Sequence, residues 1–315
     1  MQYKKSLGQN FIYDTNLLKS IAIDALICRS VGASNASLKQ TAGNCPKAAE
    51  CHEKRRLTVT TGEDALICPQ GDIVVEVGAG LGTLTKVLSE YAEKVISFEI
   101  DKDLKEPLLN LNLPNVEFIF EDALKYPLNE LHKKINLSTT NHQPLTTNHQ
   151  NYKLVANLPY YITTPLLFKF LEDEFCTSIT IMIQKEVAMR IAAKENTPDY
   201  GILSVICQAM SDITYNRTVS RKMFTPSPNV DSAVITLKKN QKPNISDIEY
   251  FKRTVRGSFA MRRKTLSNNL IKEFSLSRDE VAAILKKMQK NESIRGETLS
   301  VEEFITLSNL IKGYI

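Results

Sequence analysis

The stretch Ile73-Val74-Val75-Glu76-Val77, followed by Gly78-Ala79-Gly80-Leu81-Gly82, constrains this chain more than any other. A β-branched apolar run of this length reads as a buried strand, and glycines at alternate positions mark a turn whose backbone can approach a ligand closely. The helical pattern over 83–92 then sets amide groups at a helix N-terminus. Further strands are expected at 94–98, 115–120, 154–156 and 178–183, with helical stretches between them. Strand alternating with helix is the α/β class, here a doubly wound parallel sheet.

Such sheets keep their chemistry where the strands end. Glu99 follows the second strand about twenty residues beyond the glycine loop, where an acid holds ribose hydroxyls. Asp122 follows the third, placed to accept from an adenine amino group. Together the two acids suggest a cofactor bearing both ribose and adenine. The loop alone fits dinucleotide and S-adenosylmethionine enzymes alike, or a plain turn. Thr83, however, stands where a dinucleotide fingerprint takes Gly or Ala.

The fourth strand ends in Asn157-Leu158-Pro159-Tyr160-Tyr161. Methylating an aromatic amine requires its lone pair to be released from conjugation with the ring, and hydrogen-bond acceptors do this. The Asn157 side-chain oxygen and the Leu158 carbonyl are suited to take the two amino hydrogens, with Tyr160 stacked on the base. Pro159 has no N–H and stiffens the turn. The alternative is a strand-end turn with no chemistry.

With 43% hydrophobic and 24% charged residues the composition is that of a soluble globular protein. No apolar run approaches a membrane span and the N-terminus has no apolar signal core, so a cytoplasmic protein is expected. The net charge of +5 is uneven: residues 242–315 hold fourteen Lys/Arg against nine Asp/Glu, so the whole excess lies there. Seven basic residues and no acidic one fall between Tyr250 and Lys272, among them Arg256, Arg262, Arg263 and Lys264. That stretch suits phosphate contacts, or a solvated helix face.

Six cysteines, among them Cys28, Cys45, Cys51 and Cys68, form no C-x-x-C pair and read as free thiols, with no metal site. Asp24-Ala25-Leu26-Ile27-Cys28 recurs as Asp64-Ala65-Leu66-Ile67-Cys68 and brackets a polar segment, so residues 29–68 are expected to be an insertion. A second polar insertion, about 138–151, carries Thr-Thr-Asn-His-Gln twice. A helix over Asp14–Ile27, capped by Asp14 or Thr15, precedes the first insertion. Another is expected from Tyr200 to Ile213, a last strand over 233–237, and a small helical domain beyond the linker at 239–246.

Five motifs in order carry a resemblance: Gly8-Gln9-Asn10-Phe11, Glu76-Val77-Gly78-Ala79-Gly80-Leu81-Gly82, Asn157-Leu158-Pro159-Tyr160, Phe224-Thr225-Pro226-Ser227-Pro228-Asn229-Val230-Asp231-Ser232 and Arg262-Arg263-Lys264-Thr265-Leu266. The chain resembles the ribosomal RNA adenine N6,N6-dimethyltransferases, and looks like their small-subunit branch over nearly its whole length apart from the insertions. The resemblance implies a Rossmann-like S-adenosylmethionine-dependent methyltransferase domain over 1–240 and a helical RNA-binding domain over 241–315. The implied reaction moves methyl groups from S-adenosyl-L-methionine to N6 of two adjacent adenosines near the 3′ end of small-subunit (16S) rRNA. The implied partners are that rRNA and a 30S assembly intermediate, met by a monomer.

Residue by residue, the resemblance implies that Asn10 and Ile12 line the cofactor site and that Gly78 and Gly80 form its loop. Glu99 would hold the ribose and Asp122 the adenine, while Asn157 joins methyl donor to target. Phe224 is implied as a second ring, the target adenine being flipped out between it and Tyr160. A core anchor for the proline loop is the other reading of Phe224. Ala79 stands where the family often has proline. Neither donor nor acceptor needs a cation, so no metal is expected. Two rival functions share these features: a large-subunit (23S) rRNA adenine methyltransferase of the macrolide-resistance type, and a non-catalytic RNA-binding assembly factor.

Overall fold

The computed structural model describes residues 10–25, 28–30, 66–68, 71–136, 151–240 and 245–314. Most of both expected insertions, with Cys45, Cys51 and the paired Thr-Thr-Asn-His-Gln copies, lies outside the described residues, as do Gly8 and Gln9 of the first motif. Two compact units divide the chain: Phe11–Val155, and Met1–Asn10 with Ala156–Ile315.

The first unit begins with β1 (Phe11–Ile12) and α1 (Thr15–Asp24). Asp14 caps α1, its carboxylate accepting from the Leu17 amide at 2.9 Å. Short strands β2 (Cys28–Ser30) and β3 (Leu66–Cys68) pair in parallel, Cys28 opposite Leu66. The last residue of the first copy of the direct repeat, Cys28, therefore faces Leu66 of the second, and the two copies are offset by two residues. There follow β4 (Ile73–Val77), α2 (Thr83–Tyr91), β5 (Lys94–Phe98), α3 (Lys105–Leu109), β6 (Val116–Ile119), α4 (Leu128–Asn136) and β7 (Tyr152–Asn157). Strand β4 lies between β5 and β7, parallel to both, and β5 pairs with β6 in parallel. All five residues of β4 are buried. A strand covered on both faces has to read as the continuous apolar run seen here, and Glu76 is its one exception.

The second unit continues with α5 (Thr163–Glu172), β8 (Cys176–Gln184), α6 (Lys185–Ala192), α7 (Ile202–Met210), β9 (Ser211–Val219), β10 (Phe224–Thr225) and β11 (Ser232–Lys239). Strand β11 is antiparallel to both β8 and β9, with a register shift between Val234 and Ile235. Helices α8 (Ile248–Ser258), α9 (Leu266–Phe274), α10 (Arg278–Lys287) and α11 (Val301–Lys312) close the chain. They enclose a core of Phe251, Val255, Leu270, Ile284, Phe304 and Leu307, which Tyr200, Val205 and Ile206 share. The Tyr200 hydroxyl donates to the Leu299 carbonyl at 2.9 Å, and buried Lys252 of α8 pairs with Glu172 of α5 at 2.5 Å. The last helices are thus joined to earlier elements by apolar packing and by polar contacts.

By hydrogen bonding the principal strands follow the order β6-β5-β4-β7-β8-β11-β9. The class is α/β, as expected, but the sheet is mixed. The expected helix to Ile213 stops at Met210, and the chain turns into β9, which sequence reading does not find. Exposed Asp212, Tyr215 and Thr214 along β9 break the apolar alternation of a strand buried on one face. Helix α1 likewise ends at Asp24, short of the expected Ile27.

Candidate active site

Gly78, Gly80 and Gly82 adopt φ values of 85°, 57° and 74°, a region that L side chains avoid. The amides of Gly78 and Ala79 both donate to the Phe98 carbonyl, at 2.9 and 3.0 Å, which fastens the loop to β5. A Cβ at Gly80 would stand 2.9 Å from the Phe11 ring. Space as well as φ therefore demands glycine there.

Glu99, just past the end of β5, holds the loop from the other side. Its Oε2 accepts from the Gly80 amide and its Oε1 from the Asp101 amide, each at 2.8 Å. The side chain is 6% exposed; burial pushes its carboxyl up, while the two backbone N–H groups pull the other way. A carboxylate with one bond on each oxygen keeps lone pairs for further donors, which suits a pair of hydroxyls. Asp122, past β6, accepts from the Leu124 amide at 2.9 Å through Oδ1 and is partly exposed. Ile12 is buried to 2%, so its side chain belongs to the core.

Glu76 is a residue that sequence reasoning passes over. It is fully buried. Its Oε2 accepts from Thr85 Oγ1 at 2.6 Å and Ser97 Oγ at 2.5 Å, tying β4 to α2 and β5 behind the glycine loop. Oε1 has no partner among the described residues. Burial pushes this carboxyl up to about 7, against the pull of the two hydroxyls. The available signal was a charged residue inside an apolar strand.

In the second unit, Asn157 ends β7 and donates from Nδ2 to the Asn10 carbonyl at 3.3 Å. That bond fixes which end of the amide points elsewhere: Oδ1, the acceptor. The Leu158 amide donates to the Met182 carbonyl at 3.2 Å, and its side chain is buried, so the start of the turn is anchored to β8. Pro159, at φ −56° and ψ 132°, leads into a 3-10 turn over Tyr160–Ile162. Tyr160 is half-buried and shares a hydrogen bond of 2.9 Å with Ser232. Tyr161, by contrast, is 59% exposed.

Phe224 is 4% exposed and opens the proline loop, which is braced by Arg221 donating to the Asn229 carbonyl and Ser227 donating to the Arg221 carbonyl, each at 2.9 Å. Arg256, Arg262, Arg263 and Lys264 are all exposed. Arg262 differs in that it donates to the backbone carbonyls of Pro198 and Tyr200, at 2.9 and 3.4 Å.

Comparison with known proteins gives matches over nearly the whole chain. Curated relatives include the ribosomal RNA small subunit methyltransferase A of Clostridioides difficile, 39% identical over 98% of this chain and 91% of the relative. That of Bacillus cytotoxicus is 38% identical over the same shares. Among solved structures, a dimethyladenosine transferase from Plasmodium falciparum has the same fold, with a TM-score of 0.66 at 20% identity over 94% of this chain and 95% of that one. The 23S rRNA methyltransferase ErmE shares it too, at a TM-score of 0.60 and 22% identity over 96% and 100%. The family model described as ribosomal RNA adenine dimethylase matches residues 1–312, and the chain belongs to that family.

Proposed function

We propose that this protein transfers methyl groups from S-adenosyl-L-methionine to N6 of two adjacent adenosines near the 3′ end of small-subunit rRNA during 30S assembly. The observation that carries the reading is the Asn157-Leu158-Pro159-Tyr160 turn at the end of β7, with the Asn157 amide oriented by Asn10, in a chain that belongs to the adenine dimethylase family. Its small-subunit relatives at 38–39% identity favour 16S rRNA over 23S rRNA.

The residues present fit the methyl donor. Glu99, anchored on both oxygens by backbone amides, is an acceptor for ribose hydroxyls. Asp122 accepts from the adenine amine, and the left-handed glycines Gly78 and Gly80 leave the loop without side chains. S-adenosylmethionine supplies, when bound, a methyl group on a cationic sulfur.

The acceptor side is the work of the second unit. Asn157 Oδ1 and the Leu158 carbonyl accept hydrogen bonds from the N6 hydrogens of the adenine, two before the first methylation and one before the second, which frees the amine lone pair from the ring. Tyr160, half-buried, stacks on the extruded base, contributing about 1–3 kcal/mol; Phe224, 4% exposed, serves as a second ring only where the proline loop moves to uncover it. Asn157 is neutral, so the proton lost from N6 on methylation goes to water. Residues 1–240 do the chemistry and 241–315 grip RNA. Arg256, Arg263 and Lys264 meet phosphates, which positions the RNA without reading it, while Arg262 braces the 198–200 backbone beside them. The protein works as a cytoplasmic monomer.

Purified protein with tritiated S-adenosylmethionine and isolated 30S and 50S particles tests the reading. Label is expected in 30S particles, recovered as dimethyladenosine by mass spectrometry. Label in 50S particles alone would assign the large-subunit reaction, and absence of transfer together with absence of cofactor binding would leave an assembly factor.

A further inference from the structure

Ser232 opens β11, paired with Gln184 of β8 on one side and Val219 of β9 on the other. Its side chain is fully buried. A buried hydroxyl is costly unless bonded, and alanine would fill such a position at less cost. The bond that Ser232 makes is to the Tyr160 hydroxyl, at 2.9 Å, across 72 residues of sequence.

The support behind Ser232 is rigid. The preceding residue, Asp231, accepts from the Lys185 amide through its carbonyl and from the Arg221 amide through Oδ1, both at 3.0 Å. Arg221 in turn grips the proline loop through Asn229. Tyr160 sits on a 3-10 turn that ends where α5 begins, with its ring only half covered. A half-covered ring on a short turn has rotational freedom to lose when a base stacks on it, and a fixed hydroxyl removes that freedom beforehand.

We propose that Ser232 is a positioning residue of the methyl-acceptor site, its buried hydroxyl holding the Tyr160 ring in the stacking orientation before the base arrives. The inference rests on Tyr160 being the ring that receives the target adenine. Phosphate contacts dominate RNA binding, so the loss on removing the tether falls on turnover and not on affinity for the particle.

The test combines kinetics with a measurement on the ligand-free protein. Ser232→Ala is expected to lower kcat on 30S particles roughly five- to tenfold, the loss of one buried hydrogen bond. KM for the particles and the dissociation constant for S-adenosylmethionine should stay unchanged. Tyr160→Phe should lose as much, the double variant no more than either, and Ser232→Thr should recover most of the rate. Additive losses in the double variant, or full turnover of Ser232→Ala, would overturn the proposal. In ε-13C-tyrosine spectra of the full chain, the Tyr160 signal, identified by its loss in Tyr160→Phe, should shift or change width in Ser232→Ala. An unchanged signal overturns the tether whatever the kinetics show. Wild-type protein that transfers no methyl group would instead overturn the reading of the reaction, while the spectra still decide the tether.

Discussion

Asn157 donates from Nδ2 to the Asn10 carbonyl, which leaves Oδ1 as the acceptor that the proposed reaction needs for the target amine. Asn157→Ala should leave the dissociation constant of S-adenosylmethionine within a few-fold, by calorimetry, and cost about 2–4 kcal/mol of transition-state stabilisation, as for deleting one preorganised polar group. Near wild-type transfer of tritiated methyl would sink this role. Glu76 makes a prediction of a different kind. Its carboxyl is pushed up to about 7 from an ordinary 4.5 by burial, so the folded state holds the proton more tightly than the unfolded chain. The stability that follows is fully present below pH 4.5 and is lost as pH rises through 7. The loss is roughly 3 kcal/mol in scale, set by the gap between 4.5 and about 7. Glu76→Gln, an uncharged isostere, should flatten urea-denaturation stability between pH 5 and 8, where the wild type declines. Parallel declines in both proteins would show that another group is responsible.

At the scale of elements, the reading from sequence succeeded where burial imposes a pattern. Strands β4 and β5 are buried runs of β-branched and aromatic residues, and their bounds were legible to the residue; β7 and β8 were legible in their apolar centres. Strand β9 was not, because exposed Asp212 and Thr214 follow directly on the apolar α7. The candidate site divides in the same way. Strand ends pointed to Glu99, Asp122 and Asn157, whereas the Asn10–Asn157 and Tyr160–Ser232 bonds join residues 147 and 72 apart in sequence, which no local pattern reports. The direct repeat was legible, and the pairing of β2 with β3 brings its copies together. The two ends of the insertion thus lie on adjacent parallel strands, offset by two residues in register. Deleting residues 29–68 leaves one Asp-Ala-Leu-Ile-Cys followed by Pro69. The melting temperature of the shortened protein is expected to be no lower than that of the parent, since closing a shorter loop costs less entropy. Methyl transfer to 30S particles should persist. Failure of the deletion variant to fold would show that the segment belongs to the core.

Over the whole molecule, the net charge of +5 arises in residues 242–315, yet the structure sorts those charges unequally. Lys252 is buried against Glu172 and Glu249. Arg253 pairs with Glu273 and lies over the Phe274 ring, and Arg262 holds the Pro198 and Tyr200 carbonyls. Arg256, Arg263 and Lys264 are exposed and make no ion pair among the described residues, so their charge is available to phosphates. Each phosphate contact releases counterions and steepens the fall of log K with log salt by about 0.7–0.9. Replacing these three residues together by alanine should therefore reduce the slope for rRNA binding by roughly 2, measured by filter binding across a potassium chloride series. Arg262→Ala should differ in kind. Losing its hold on the 198–200 backbone lowers the melting temperature, and the slope changes by less than one contact's worth. An unchanged slope in the triple variant would remove this face from RNA recognition, and a slope change in Arg262→Ala with no loss of stability would make Arg262 a phosphate contact and not a brace.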